Sequence, residues 1–172
     1  MTATAPTSLL RALALGDVDA ELANTRRVLE RLPADRLDWR PHARSWTLGE
    51  LATHITRLPG WGMEVAGSDA FDLATLPPSS GGALPDRDAI VRSFETNAAA
   101  FRAALGALAD DALGATWTLR RGEHVIMGMP RLVALRTMTM NHLVHHRAQL
   151  TIYLRLLDVP VPGLYGQSAD EK

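Results

Sequence analysis

Three of the six histidines in this chain, His142, His145 and His146, fall within five residues. On a helix, residues i and i+4 stand one above the other, about 5–6 Å apart. Two neutral imidazoles at that spacing can share one divalent cation through bonds of about 2.0–2.1 Å. An imidazole nitrogen withdrawn from water needs a partner, and a metal ion is one. A hydrogen-bonded histidine core without metal is the alternative. The HExxH protease pattern is absent, since His142 is followed by Leu143.

A helical wheel at about 100° per residue, with His142 at zero, puts Leu135 and Tyr153 near +20°, Gln149 near −20°, and Leu132 and Leu150 near +80°. Arg136, Arg147 and Arg155 fall towards the opposite side. This predicts that His142 and His146 (about +40°) point inward and that His145 (about −60°) lies on the flank. Gln149 and Tyr153 share the histidine face and are candidates to orient a substrate. Arg147 is expected to pair with another helix or subunit. His54 lies beside the stripe Leu51, Ile55 and Leu58. It is either a ligand oriented by Glu50 or a boundary histidine bonded to Glu50 one turn earlier. His42 and His124, in a linker and a hairpin, are expected at the surface. Trp39, Trp46, Trp61 and Trp117 read as core and loop anchors.

Four helices are needed to position these groups. Val18, Leu22, Thr25, Leu29 and Leu32 make one stripe on a helix over 8–32, with a kink or a true start at Gly16-Asp17. Thr47-Leu48-Gly49-Glu50 fits a capping box that opens the second helix. Pro59-Gly60 should kink or break it, because proline has no amide to bond residue 55. Residues 67–85 read as a long loop. Asp86 caps a third helix whose inward residues include Ile90, Phe94, Asn97, Phe101, Leu105 and Leu108. Residues 115–128 change to a strand-like period and read as a short β-hairpin around Arg121-Gly122. Pro130 opens a fourth helix to about residue 157. The expected fold is all-α, a four-helix bundle with a short β-hairpin before the fourth helix, in one domain over 1–172.

Composition narrows the function. The chain has 172 residues, 47% of them hydrophobic, and a net charge of −1, which suits one full-sized core. With a single lysine and scattered arginines there is no basic footprint for nucleic acid. No apolar run approaches the ~20 residues that span a bilayer. No leader pattern opens the chain, so a cytoplasmic location is expected. Zero cysteines exclude disulfides, thiolate ligands and a cysteine nucleophile. Phosphate-binding glycine loops, the G-x-S-x-G elbow, paired E-x-x-H motifs and C-x-x-C-H are all missing.

Three separated stretches resemble the DinB/YfiT-like superfamily (the damage-inducible bundle proteins, not the polymerase of similar name). Leu37 through Trp39, Pro41, Ser45, Trp46 and Glu50 to His54 resembles its entry into the second helix. Asn141-His142 through His145-His146-Arg147 to Leu150 resembles its fourth-helix motif. The tail from Leu156 through Pro160, Pro162 and Tyr165 to Glu171 matches its C-terminal pattern. Ala148 stands where the family often has glycine. The resemblance implies a four-helix bundle with a divalent metal, zinc or nickel first and iron or copper next, held by His54, His142 and His146. Three imidazoles leave a coordination position open. Relatives in the superfamily include S-transferases and isomerases that use low-molecular-weight thiols. The resemblance thus implies a metal-dependent transferase acting on a small thiol and an electrophile, in a homodimer. The alternatives are a metal-dependent hydrolase, for which Glu50 is the one nearby base, and a non-enzymatic metal- or ligand-binding stress-response protein.

Overall fold

The computed structural model describes residues 8–76 and 82–171. Helix α1 (Leu9–Leu15) is capped by Ser8, whose hydroxyl accepts from the Arg11 amide. The chain breaks at Gly16-Asp17 and resumes as α2 (Val18–Leu29), so the helix expected over 8–32 is two. The predicted stripe of Val18, Leu22, Thr25, Leu29 and Leu32 is buried throughout.

Helix α3 (Leu48–Gly67) starts in the capping box: Thr47 Oγ1 accepts from the Glu50 amide, and the Glu50 carboxylate accepts from the Thr47 amide. Leu48, Leu51, Ile55 and Leu58 are buried as the periodicity predicts. Of the kink or break expected at Pro59-Gly60, the break does not occur: α3 runs through to Gly67. Packing explains why. Helix α4 (Arg87–Ala107) runs along α3, and Asn97 Nδ2 on α4 donates to the Thr56 carbonyl at 2.8 Å. Burial of Leu58, Pro59, Gly62 and Val65 outweighs the one helical hydrogen bond that proline removes. At Gly62 a Cβ would lie 2.6 Å from a Phe101 ring carbon and 2.7 Å from Thr139 Cγ2. Only glycine leaves room for these two side chains against α3.

The expected loop at 67–85 also holds structure: strand β1 (Ala70–Asp72) and a 3₁₀ turn at Leu73–Thr75. Its Pro77–Gly81 stretch lies outside the described residues. β1 pairs in parallel with β2 (Thr116–Arg121), which pairs antiparallel with β3 (His124–Pro130). The hairpin turn uses Gly122 at φ +57°, where a Cβ would be strained. β3 runs on to Pro130, which caps α5 (Arg131–Ala134) rather than opening it as the first helical residue.

The predicted fourth helix is not uniform. After α5, residues Leu135–Asn141 form a π-helical segment, and only from His142 is the chain regular α-helix, α6 (His142–Leu156). Helices α2, α3, α4 and α6 contact one another in the closed order α2–α4–α3–α6–α2. The molecule is mostly helical, with the three-stranded sheet as a small addition. Among the described residues no helix is long and apolar enough to cross a membrane.

Candidate metal centre

His54 on α3 and His142 and His146 on α6 converge, with one ring nitrogen from each lying within 4.8 Å of the others. The Nε2 atoms of His142 and His146 stand 2.9 Å apart, and those of His54 and His142 3.3 Å. The spacing fits a common ion, since bonds of 2.0–2.1 Å at tetrahedral angles put donor atoms about 3.3 Å apart. Hydrogen bonding fits less well. His146 Nδ1 lies 2.7 Å from Gln149 Oε1, which places the ring proton on Nδ1 and leaves the Nε2 lone pair facing the cluster. His142 Nε2 can donate to that lone pair, but it then has nothing to offer His54 Nε2. A cation accepting three lone pairs resolves the conflict. The three-histidine cluster could therefore hold a metal ion.

The electrostatics point the same way. Burial, and then the neighbouring His146 and His142, push His54 down to about 4. Burial also lowers His146, partly opposed by its bond to Gln149. His54 is therefore neutral at physiological pH, the form in which an imidazole binds metal.

The wheel needs one correction. The buried stripe of α6 is Leu143, Arg147, Leu150 and Leu154, so His142 and His146 are half-buried at its edge rather than at its centre. All four stripe residues lie within regular α6, where Glu21 of α2 draws Arg147 inward and so moves the stripe away from His142. The π-helical segment separately shifts the phase of Leu132 and Leu135 relative to α6. His145 is exposed, with its ring 4.9 Å from that of His146. His42 and His124 are exposed, as expected. Arg147 does pair with another helix: it is buried against Glu21 of α2 at 2.6 Å and also bonds the Glu21 carbonyl, Thr25 and the Tyr165 hydroxyl.

Glu50 is near His54 in sequence, but its carboxylate is spent on the helix cap, and the cluster around His54 contains no carboxylate among the described residues. The indole of Trp46, expected as a loop anchor, instead covers the site, 4.9 Å from the His54 ring and 5.6 Å from His146. The linker brings it there through backbone bonds from Leu48 to Trp39 and from Gly49 to Leu37, which local periodicity does not encode. Beside His146 opens a cleft of about 250 Å³, lined by Arg44, Ser45, Trp46, Leu51, Gln149 and Tyr153. The Tyr153 hydroxyl donates to the Trp46 carbonyl at 3.3 Å. A larger groove of about 470 Å³, at Glu30 and the first turns of α4, contains none of the histidines.

The sequence model of the DinB family matches residues 17–172. The chain belongs to the DinB family. Two solved structures share the fold of this family member. A DinB-like protein from Bacillus cereus is 23% identical with a TM-score of 0.68, covering 88% of this chain and 95% of that one. A DinB-like protein from Bacillus subtilis is 18% identical with a TM-score of 0.67, covering 90% and 98%. No curated protein matches this DinB-family chain.

Proposed function

We propose that this DinB-family chain is a metal-dependent transferase acting with a low-molecular-weight thiol, and that His54, His142 and His146 hold its divalent metal. The observation that carries this reading is the convergence of three imidazole nitrogens, one from α3 and two from α6, with no carboxylate among them. All-imidazole sites suit zinc, nickel, iron or copper, and zinc or nickel is the first expectation. When bound, the ion favours deprotonation of a thiol and leaves it a position to occupy.

The chain's own residues do the rest. Gln149 holds the His146 ring in the tautomer that presents Nε2. The Trp46 ring shields the His54 and His146 faces from solvent, and the adjoining cleft admits the electrophile. Tyr153 and Gln149 line that cleft and orient the substrate. A hydrolase would need a base, and the engagement of Glu50 in the cap weighs against that reading. The ring of contacts among α2, α4, α3 and α6 supports a four-helix bundle, and one core cluster running from Leu15 to Leu154 supports a single domain.

The test has two parts. Metal content is measured in the purified protein and in His54→Ala and His142→Ala variants; unchanged content in both variants would sink the site. The protein is then incubated with a panel of small thiols and monochlorobimane. Metal-dependent conjugation with at least one thiol is expected, and none with any thiol refutes the transferase reading.

A further inference from the structure

From the cleft beside His146 we infer that the ligand entering this site carries a carboxylate and that Arg44 is the residue that selects it. The inference rests on the metal reading above and adds a substrate class to it. Arg44 lines the same cleft as His146, and no carboxylate lines it with them. Among the described residues the Arg44 guanidinium has no hydrogen-bond or ion-pair partner, and of the arginines it is the one that lines the cleft with His146. A cation left unmatched at the mouth of a cleft is available to a ligand.

The backbone that carries Arg44 is fixed before any ligand arrives. The Arg44 amide donates to His42 Nδ1 at 3.1 Å, and the Ser45 amide donates to the His42 carbonyl at 2.9 Å, closing a turn just before the α3 cap. This gives His42, otherwise an exposed linker residue, a part in fixing the backbone at Arg44. Guanidinium binds carboxylate through paired, charge-assisted hydrogen bonds, and the adjacent Ser45 hydroxyl offers another donor. With three neutral imidazoles around a divalent ion and a guanidinium nearby, the field in the cleft is positive, which favours a doubly anionic ligand over a neutral one. The cleft is smaller than the ~300–1,000 Å³ typical of sites for drug-sized ligands. The ligand is therefore a small acid, with its metal-binding atom at one end and its carboxylate at the other.

The experiment loads the full chain with Co²⁺ and titrates it with 3-mercaptopropionate and, separately, with the neutral 3-mercaptopropionamide, following the thiolate-to-cobalt charge-transfer band. The acid is expected to bind about tenfold tighter than the amide. In Arg44→Gln that preference should fall to within about twofold, with Arg44→Lys in between, while the cobalt ligand-field spectrum stays that of wild type. An unchanged acid-to-amide ratio in Arg44→Gln overturns the inference and leaves the metal site standing. Failure of the wild-type protein to take up Co²⁺ overturns the metal reading and this inference together.

Discussion

His54 carries a pH signature that can be read without any enzyme assay. Its folded pKa of about 4, set first by burial, lies below the usual ~6.5 of an unfolded-chain histidine. The unfolded state therefore binds more protons between those values, and stability must fall as pH drops through that window. The chelated protein should lose melting temperature progressively from pH 6.5 to pH 4, with no further loss from this group below 4. His54→Gln should flatten that slope. A wild-type slope persisting in the variant would assign it to other groups. Arg147 makes the second argument at this scale. It and Glu21 are buried as an ion pair, with side-chain exposures of 1% and 7%. Removing one member strands the other, which costs about 3–5 kcal/mol, whereas replacing both with apolar groups of similar volume costs little. Urea denaturation should show Arg147→Met strongly destabilised and Glu21→Leu/Arg147→Met recovering at least half of the loss.

Elements position the site where they touch, and Gly62 is where α3 meets both Phe101 of α4 and Thr139 of the π-helical segment that leads into His142. Gly62→Ala must force Phe101 and Thr139 apart, at about 1–3 kcal/mol. Gly60→Ala, two residues earlier, meets Asn97 only at ordinary contact distances of 3.7–3.8 Å and should gain about 0.5–1 kcal/mol from helix propensity. Denaturant midpoints check the opposite signs, and Gly62→Ala should also weaken metal uptake because it displaces the segment behind His142. The same elements show what was legible in the sequence. The Thr47–Glu50 cap and the Leu48–Leu58 stripe involve neighbours within one or a few turns, so spacing reveals them. The inward pairing of His142 and His146 follows from an i, i+4 relation inside regular α-helix. For His54 the local pattern leaves ligand and boundary histidine even, and only the family resemblance chooses between them, because its partner His142 lies 88 residues away. β1 leaves no local pattern in its loop-like stretch because its partner strand is far along the chain, Ala70 facing Thr118. The burial of Arg147 depends on Glu21, 126 residues distant. The π-helical segment has no residue pattern that separates it from α-helix, so the wheel carried its phase through it unchanged. Arg44 and Trp46 reach the site only because the linker folds back onto α3.

For the molecule as a whole, the proposed ion acts as a cross-link between α3 and α6, two neighbours in the ring of long helices. Binding that is confined to the folded state stabilises it by RT ln(1 + [M]/Kd), about 4 kcal/mol when free metal exceeds Kd a thousandfold. The unfolded chain keeps His142 and His146 close in sequence but loses His54, so its own affinity is weaker and most of that increment survives. Calorimetry should show a melting temperature that rises with Zn²⁺ or Ni²⁺ and returns to its starting value with EDTA. His142→Ala should abolish the metal-dependent rise. Arg44→Gln should retain it, because Arg44 contacts the ligand rather than the ion. Gln149→Ala should reduce it without abolishing it, since only the orientation of the His146 ring is lost. A metal-dependent rise of equal size in wild type and His142→Ala would mean that the ion binds elsewhere, and the three-histidine assignment would fall.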